Sequence, residues 1–234
     1  MEANTEAIIR LAWSRVLGVG DDGEVPVRGH RTYREDDTIR AVMYVRLFGQ
    51  SVFIGPSWAC DQARRHSDDD LEAVRTLLEI CSGRGGRAVG QATLAYTDTY
   101  VPIPSLRQVV SRDAAAVAAL ERACPPDDVS EVGLTEMAET FVLVEEHQPQ
   151  VALAGSGYVE WESILGHVGV LTTPEHRGTG LARAVGAVAT NDALDAGLVP
   201  QWRARVDNEP SQRVAAALGY QEVGSQTTVL LPTG

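Results

Sequence analysis

Apolar positions recur at helical spacing near the start of the chain. Ala7, Ile8, Leu11, Ala12 and Val16 fall close to one face, which predicts a helix over residues 4–17, and "GVGDDGEVP" then breaks it. Residues 38–58 alternate as two strands, with Phe48, Gly49 and Gln50 as the hairpin turn. "SDDDLEAVRTLLEICSG", 67–83, predicts one capped amphipathic helix. Aspartates occupy its first turn, Leu71, Val74, Leu77 and Leu78 form its stripe, and Gly83 closes it. "AVGQATLAYTD" follows as a strand.

The two prolines of "VPIPSLRQV", 101–109, resist regular structure and mark a linker. The pattern then restarts. A helix over 111–123 opens at Ser111 or Asp113 and stops at Pro125 and Pro126. "ETFVLVEEH", "VALAGSGYVEW" and "HVGVLTT" read as three strands, the first two antiparallel neighbours. A helix over 180–197, the strand "VPQWRARV", the short helix "PSQRVAAALG" and one or two strands in "YQEVGSQTTVLL" complete the order. This predicts a mixed α/β domain over 105–234, preceded by a smaller α/β domain over 1–104 with no assigned role.

The 234 residues suit one large domain or two small ones, and 44% hydrophobic content supports a real core. No stretch approaches the ~20 continuous apolar residues of a membrane span, and the acidic N-terminus lacks a secretory pattern. The expectation is a cytoplasmic protein without a membrane partner. A net charge of -12 repels phosphate backbones, which excludes nucleic acid as a general partner, and it mildly favours cationic small molecules. Cys60, Cys81 and Cys124 are far apart and the five histidines are scattered, so neither a disulfide framework nor a metal site is expected. "VRGHRTYRED", 27–36, is a local basic cluster. Such clusters are usually solvated surface, though a partner-binding role for residues 1–100 stays open.

"LTTPEHRGTGLARAV", 171–185, carries the most chemistry. A strand delivers the chain to Pro174, glycines at 178 and 180 permit a tight turn, and a helix begins. The first N–H groups of a helix have no intrahelical partner, and with the helix dipole they form an anion site. Arg177 adds a permanent charge able to grip phosphate oxygens. A plain strand–helix turn is the competing reading. A Walker loop needs a lysine that is absent here, and the dinucleotide fingerprint fails because Arg183 stands where its third glycine belongs.

The stretch resembles the central motif of the GCN5-related N-acetyltransferase (GNAT) family: a strand, then [QR]-x-x-G-x-[GA], then a helix. Here it stands as Arg177-Gly-Thr-Gly180-Leu-Ala182. A second element, "DNEPSQRVAAALGYQEVG", 207–224, resembles the family's N-x-x-[AS] segment followed by LG[FY], with Asn208, Ser211, Leu218, Gly219 and Tyr220 in place. The likeness covers about 111–230. It implies a mainly antiparallel GNAT-like sheet flanked by helices, and it leaves room for a degenerate GNAT-like N-terminal domain.

The resemblance further implies an acetyl-CoA-dependent N-acetyltransferase that needs no metal. The acceptor would be an amine of a small molecule or peptide, and a homodimer is allowed. Val170, Leu171 and Thr172 would meet the pantetheine arm, with the Val170 amide facing the oxygen of the tetrahedral intermediate. Arg177, Gly178, Thr179, Gly180, Leu181 and Ala182 would hold the diphosphate, with Asn208 and Ser211 beside the cofactor arm. The family's usual acid and base do not transfer, because Ala215 and Arg203 occupy their positions. Glu160 and His167 rank first as local substitutes, ahead of Glu145. Tyr220 reads as packing, and Trp161 and Trp202 as core or pocket wall. A catalytically decayed CoA-binding regulatory or scaffold protein is the alternative.

Overall fold

A computed structural model describes residues 1–19, 31–104 and 107–232. Its contacts divide the chain into two units, each assembled from separated stretches. One comprises Met1–Thr5, Tyr96–Trp202 and Pro210–Gln221; the other comprises Glu6–Ala95, Arg203–Glu209 and Glu222–Gly234. The expected boundary at 104/105 abuts residues 105 and 106, which lie outside the described residues, as do residues 20–26 of the helix-breaking stretch.

The second unit contains most of helix α1 (Ala3–Leu17), whose Ile9, Ala12, Trp13 and Leu17 are buried. Strand β1 (Thr32–Glu35) runs parallel to β3 (Gln50–Gly55), and β3 forms a hairpin with β2 (Ala41–Leu47). The hairpin turns through Phe48 at φ 49° and Gly49 at φ 74°, the left-handed pair that matches strand twist. Helices α2 (Ser57–Ala63), α3 (Asp68–Glu72) and α4 (Val74–Ile80) follow, then β4 (Arg87–Tyr96). The chain's last strand, β10 (Gln221–Leu230), is one strand and pairs antiparallel with β2. Val42, Tyr44, Phe53, Leu71, Leu77 and Val229 are central to this unit's core.

Residues 67–83 form two helices rather than the one expected. Ser67 caps the first through a reciprocal capping box with Asp70. The break falls at Ala73, whose ψ is 123°. The Glu72 carbonyl, which would serve the next turn of a continuous helix, instead accepts from Thr227 Oγ1 on β10 at 2.6 Å, and Thr76 N bonds the Ala73 carbonyl. A sheet side chain thus replaces a helical bond, which no local pattern records. The basic cluster also departs from expectation. Residues 27–30 lie outside the described residues, but the Arg31 side chain is only 11% exposed and bonds Asp68, the Tyr33 hydroxyl and two backbone carbonyls.

The first unit is a mostly antiparallel sheet with helices on both faces. Strand β5 (Val109–Ser111) is followed by α5 (Ala114–Arg122) and α6 (Pro126–Val132). The two prolines were expected only to stop a helix. Pro126 in fact opens α6 at its first turn, where its missing N–H costs nothing, and Gly133 closes it at φ 64°. Strands β6 (Glu139–Glu145), β7 (Gln148–Trp161) and β8 (Leu165–Thr172) form an antiparallel meander, and β5 pairs with β6. Helix α7 (Leu181–Asp195) leads to β9 (Val199–Arg205), which pairs parallel with β8, and α8 (Glu209–Ala217) follows. Val117, Leu120, Leu134, Met137 and Val142 pack one face of this sheet.

Candidate functional site

The register of β8 sets the geometry. Along its whole length it pairs with β7, from Trp161↔Leu165 to Ala154↔Thr172. With β9 it pairs only over Leu165–Val168 against Val199–Trp202. Gly169 to Thr172 therefore continue beyond the last β9 pair, and strand-type backbone groups are available there for an extended ligand.

Beyond Thr172 the chain is locked by side chains. Thr173 donates through its buried Oγ1 to the Leu153 carbonyl at 3.1 Å and also contacts His176 Nδ1 at 2.8 Å. The Leu153 carbonyl also accepts from the Thr173 backbone N–H at 3.0 Å, which ties this residue to β7. Thr179 Oγ1 donates to the His176 carbonyl at 2.6 Å and tightens the turn. Gly178 and Gly180 then adopt φ of 75° and 89°, and a methyl added at either would meet nothing within 4 Å. The glycines keep an open cradle. Gly180 caps α7 without a side-chain acceptor, and the first helical bond is Ala184 N to the Gly180 carbonyl. The amides of Leu181, Ala182 and Arg183 precede that ladder and remain available to an anion.

Two polar groups sharpen this picture. Thr172 Oγ1 is buried and has no hydrogen-bond partner among the described residues. A buried orphan hydroxyl beside an open cradle fits a ligand that brings its own polar atoms. Arg177 is half exposed; its Nε donates to the Thr172 carbonyl at 3.4 Å and its Nη2 to Asp128 Oδ2 on α6 at 2.5 Å. Sequence reading missed Asp128, which lies far upstream and joins the loop only through the packing of α6 on β8.

The catalytic candidates are not brought together. Glu160 stands opposite Gly166, and His167 opposite Val159, so alternation puts the two side chains on opposite faces. Glu160 is exposed on the face that packs α7, where a methyl on Gly166 would approach Ala193 to 3.1 Å. His167 is half-buried on the face covered by α6 and the turn after it. There a methyl on Gly169 would come within 3.0 Å of Val132 and 2.7 Å of Met137. The Trp161 ring lies 5.2 Å from His167. Glu145 ends β6 opposite Gln148, at the hairpin between β6 and β7.

Tyr158 shares Glu160's face but donates to Asp192 at 2.8 Å. Arg112 joins that carboxylate to Glu139 at 2.6 and 3.0 Å. Burial, reinforced by Asp192, pushes the Tyr158 phenol well above its ordinary range, which keeps it protonated.

In the second motif, Asn208 directly precedes α8, and Ser211 in that helix accepts a 3.0 Å bond from the Trp202 indole N–H. Trp202 packs edge-on to Tyr220 at 5.4 Å, and Tyr220 shares a 2.9 Å buried hydrogen bond with Thr190. Trp202 and Tyr220 are thus both buried core. Ala215 is buried and offers only a methyl.

Residues 141–229 match the family model described as GNAT acetyltransferase. No match is found among the curated proteins. Among solved structures, the chain is similar to a GCN5-related N-acetyltransferase-like protein from Streptococcus suis. That match has 15% identity and a TM-score of 0.50, and covers 98% of this chain and 99% of that one. A Drosophila protein matches at 15% identity and a TM-score of 0.53, over 68% of this chain and 58% of that one, less than two thirds of its length. A putative GNAT-family acetyltransferase from Novosphingobium aromaticivorans matches at 21% identity and a TM-score of 0.46, covering 64% and 69%. At these identities the likeness is one of fold. Residues 141–229 thus match a GNAT acetyltransferase model, and the chain shares its fold with the Streptococcus suis protein.

Proposed function

Since residues 141–229 bear the GNAT family's sequence model, we propose that this protein transfers an acetyl group from acetyl-CoA to a primary amine of a small molecule or peptide. The observation that supports this most is the run of β8 past its last β9 pair, into a glycine turn followed by uncapped helix amides. In this reading, Val170, Leu171 and Thr172 receive the pantetheine arm as an added strand. Amides from Gly178 to Ala182 hold the diphosphate with Arg177, and Asn208 and Ser211 contact the arm. Thr172 Oγ1 finds there the partner it otherwise lacks.

The thioester is already activated, so the protein's tasks are positioning, stabilising negative charge and moving protons. The Val170 amide is the donor assigned to the developing oxyanion; such preorganised donors are typically worth about 3–4 kcal/mol when removed. An amine with a pKa near ~10 must lose a proton before it attacks. Glu160 and His167 are the groups proposed for that role, and their opposite orientations mean that one of them serves a given acceptor. The net charge of -12 favours a cationic acceptor.

Titration calorimetry with CoA, followed by thiol release from acetyl-CoA with a panel of amines, tests the proposal. Absence of heat with CoA overturns it. A second reading has its own support: Ala215 places a buried methyl where relatives of this kind carry an acid. A CoA-binding protein that has lost transfer chemistry would bind in the calorimeter and release no thiol with any amine.

A further inference from the structure

The guanidinium assigned to the diphosphate already has an anionic partner. Arg177 Nη2 meets Asp128 Oδ2 at 2.5 Å, and both side chains are partly exposed, at 51% and 37%. The carboxylate is not carried on a wandering loop. It lies in the first turn of α6, and Val132 at the far end of that helix seats over Gly169 on β8. Asp128 is thus fixed by the same strand that leads into the anion cradle.

We infer that Asp128 is a built-in rival of the coenzyme's diphosphate for Arg177, and that it sets how tightly this protein holds an anionic cofactor. The inference rests on the reading that CoA occupies the cradle. A guanidinium has five N–H donors, and the contacts through Nε and Nη2 leave Nη1 for a second acceptor. Two anions sharing one guanidinium lie close enough to repel each other, and here solvent screens that repulsion only partly. Cofactor binding therefore either displaces Asp128 or tolerates it at a loss of affinity.

A competing role would have Asp128 merely hold Arg177 in a useful rotamer. The two differ in the sign of one substitution. Asp128→Asn keeps an oxygen to accept from Arg177 and removes only the charge. The expected result is that Asp128→Asn binds CoA about three- to tenfold more tightly at low salt, with the gap shrinking as salt rises. Asp128→Ser should shift affinity in the same direction and guards against a folding defect peculiar to one variant. Arg177→Gln should weaken binding, and adding Asp128→Asn to it should tighten binding less than Asp128→Asn does alone, since the contest for the guanidinium is gone and only direct repulsion is relieved.

Thermal unfolding without ligand reports whether each variant is folded. Affinity unchanged or weakened in Asp128→Asn across salt concentrations overturns the inference while leaving CoA binding intact. Heat from neither Asp128→Asn nor the natural sequence overturns both the inference and the CoA reading.

Discussion

Glu160 and His167 project from opposite faces of one antiparallel ladder, because Glu160 pairs with Gly166 while His167 pairs with Val159. Two titratable groups that cannot reach one proton act independently. Glu160→Gln and His167→Gln should therefore affect the pH profile of kcat/KM separately, one variant losing a limb and the other keeping it, with multiplicative effects in the double variant. Loss of the same limb in both single variants would show a shared proton and contradict the ladder register.

Thr172→Val should separate stability from binding. The hydroxyl is buried and unpartnered, and valine has nearly the same shape. Removing it should raise ligand-free stability by about 1 kcal/mol in chemical denaturation, since an unmet buried polar group is penalised. The same change should weaken CoA binding. A fall in both quantities would mean that the hydroxyl has a protein partner in solution.

Gly180→Ala tests the cradle. The residue sits at φ 89° with empty space where a methyl would project. The left-handed backbone should cost about 1–2 kcal/mol of stability. Loss of CoA affinity should exceed what that strain explains, because the new methyl enters the space where helix amides face the anion. Affinity unchanged in a folded variant argues that the diphosphate lies elsewhere.

Tyr220→Phe should be structural only. Burial pushes this phenol above its ordinary range, and its hydroxyl is spent on Thr190. The variant should lose about 1 kcal/mol of stability for one buried hydrogen bond and retain kcat/KM. A collapse of kcat with stability preserved would make Tyr220 the missing acid.

Acid should unfold the unit containing Arg31 and Asp68 through that pair. Burial alone would raise the Asp68 carboxyl, but hydrogen bonds from Arg31 and Ser51 outweigh it and hold the pKa below the usual value. A depressed native pKa contributes stability above the unfolded value of about 3.9, and that stability is lost as pH falls through the native value. Denaturation midpoints followed downward from pH 5 should fall less steeply in Asp68→Asn than in the natural sequence. Parallel slopes would show that other carboxylates carry the acid sensitivity.

The local elements and the motif loop are legible in the order of residues. Helix α1, the Phe48–Gly49 hairpin and the strand–glycine–helix order around Arg177 are written in periodicity and turn chemistry, which act over a few residues. Pro126 was legible as a break in the pattern, but its role as a helix opener depends on the chain that follows it. Tertiary structure alone decided what meets across long separations. Thr227 taking the Glu72 carbonyl splits a helix, β10 pairs with β2 from the other end of the chain, Asp128 reaches Arg177, and ladder register sends Glu160 and His167 to opposite faces. Each of these contacts is fixed by packing between distant segments, and a local pattern holds no record of which distant partner will arrive.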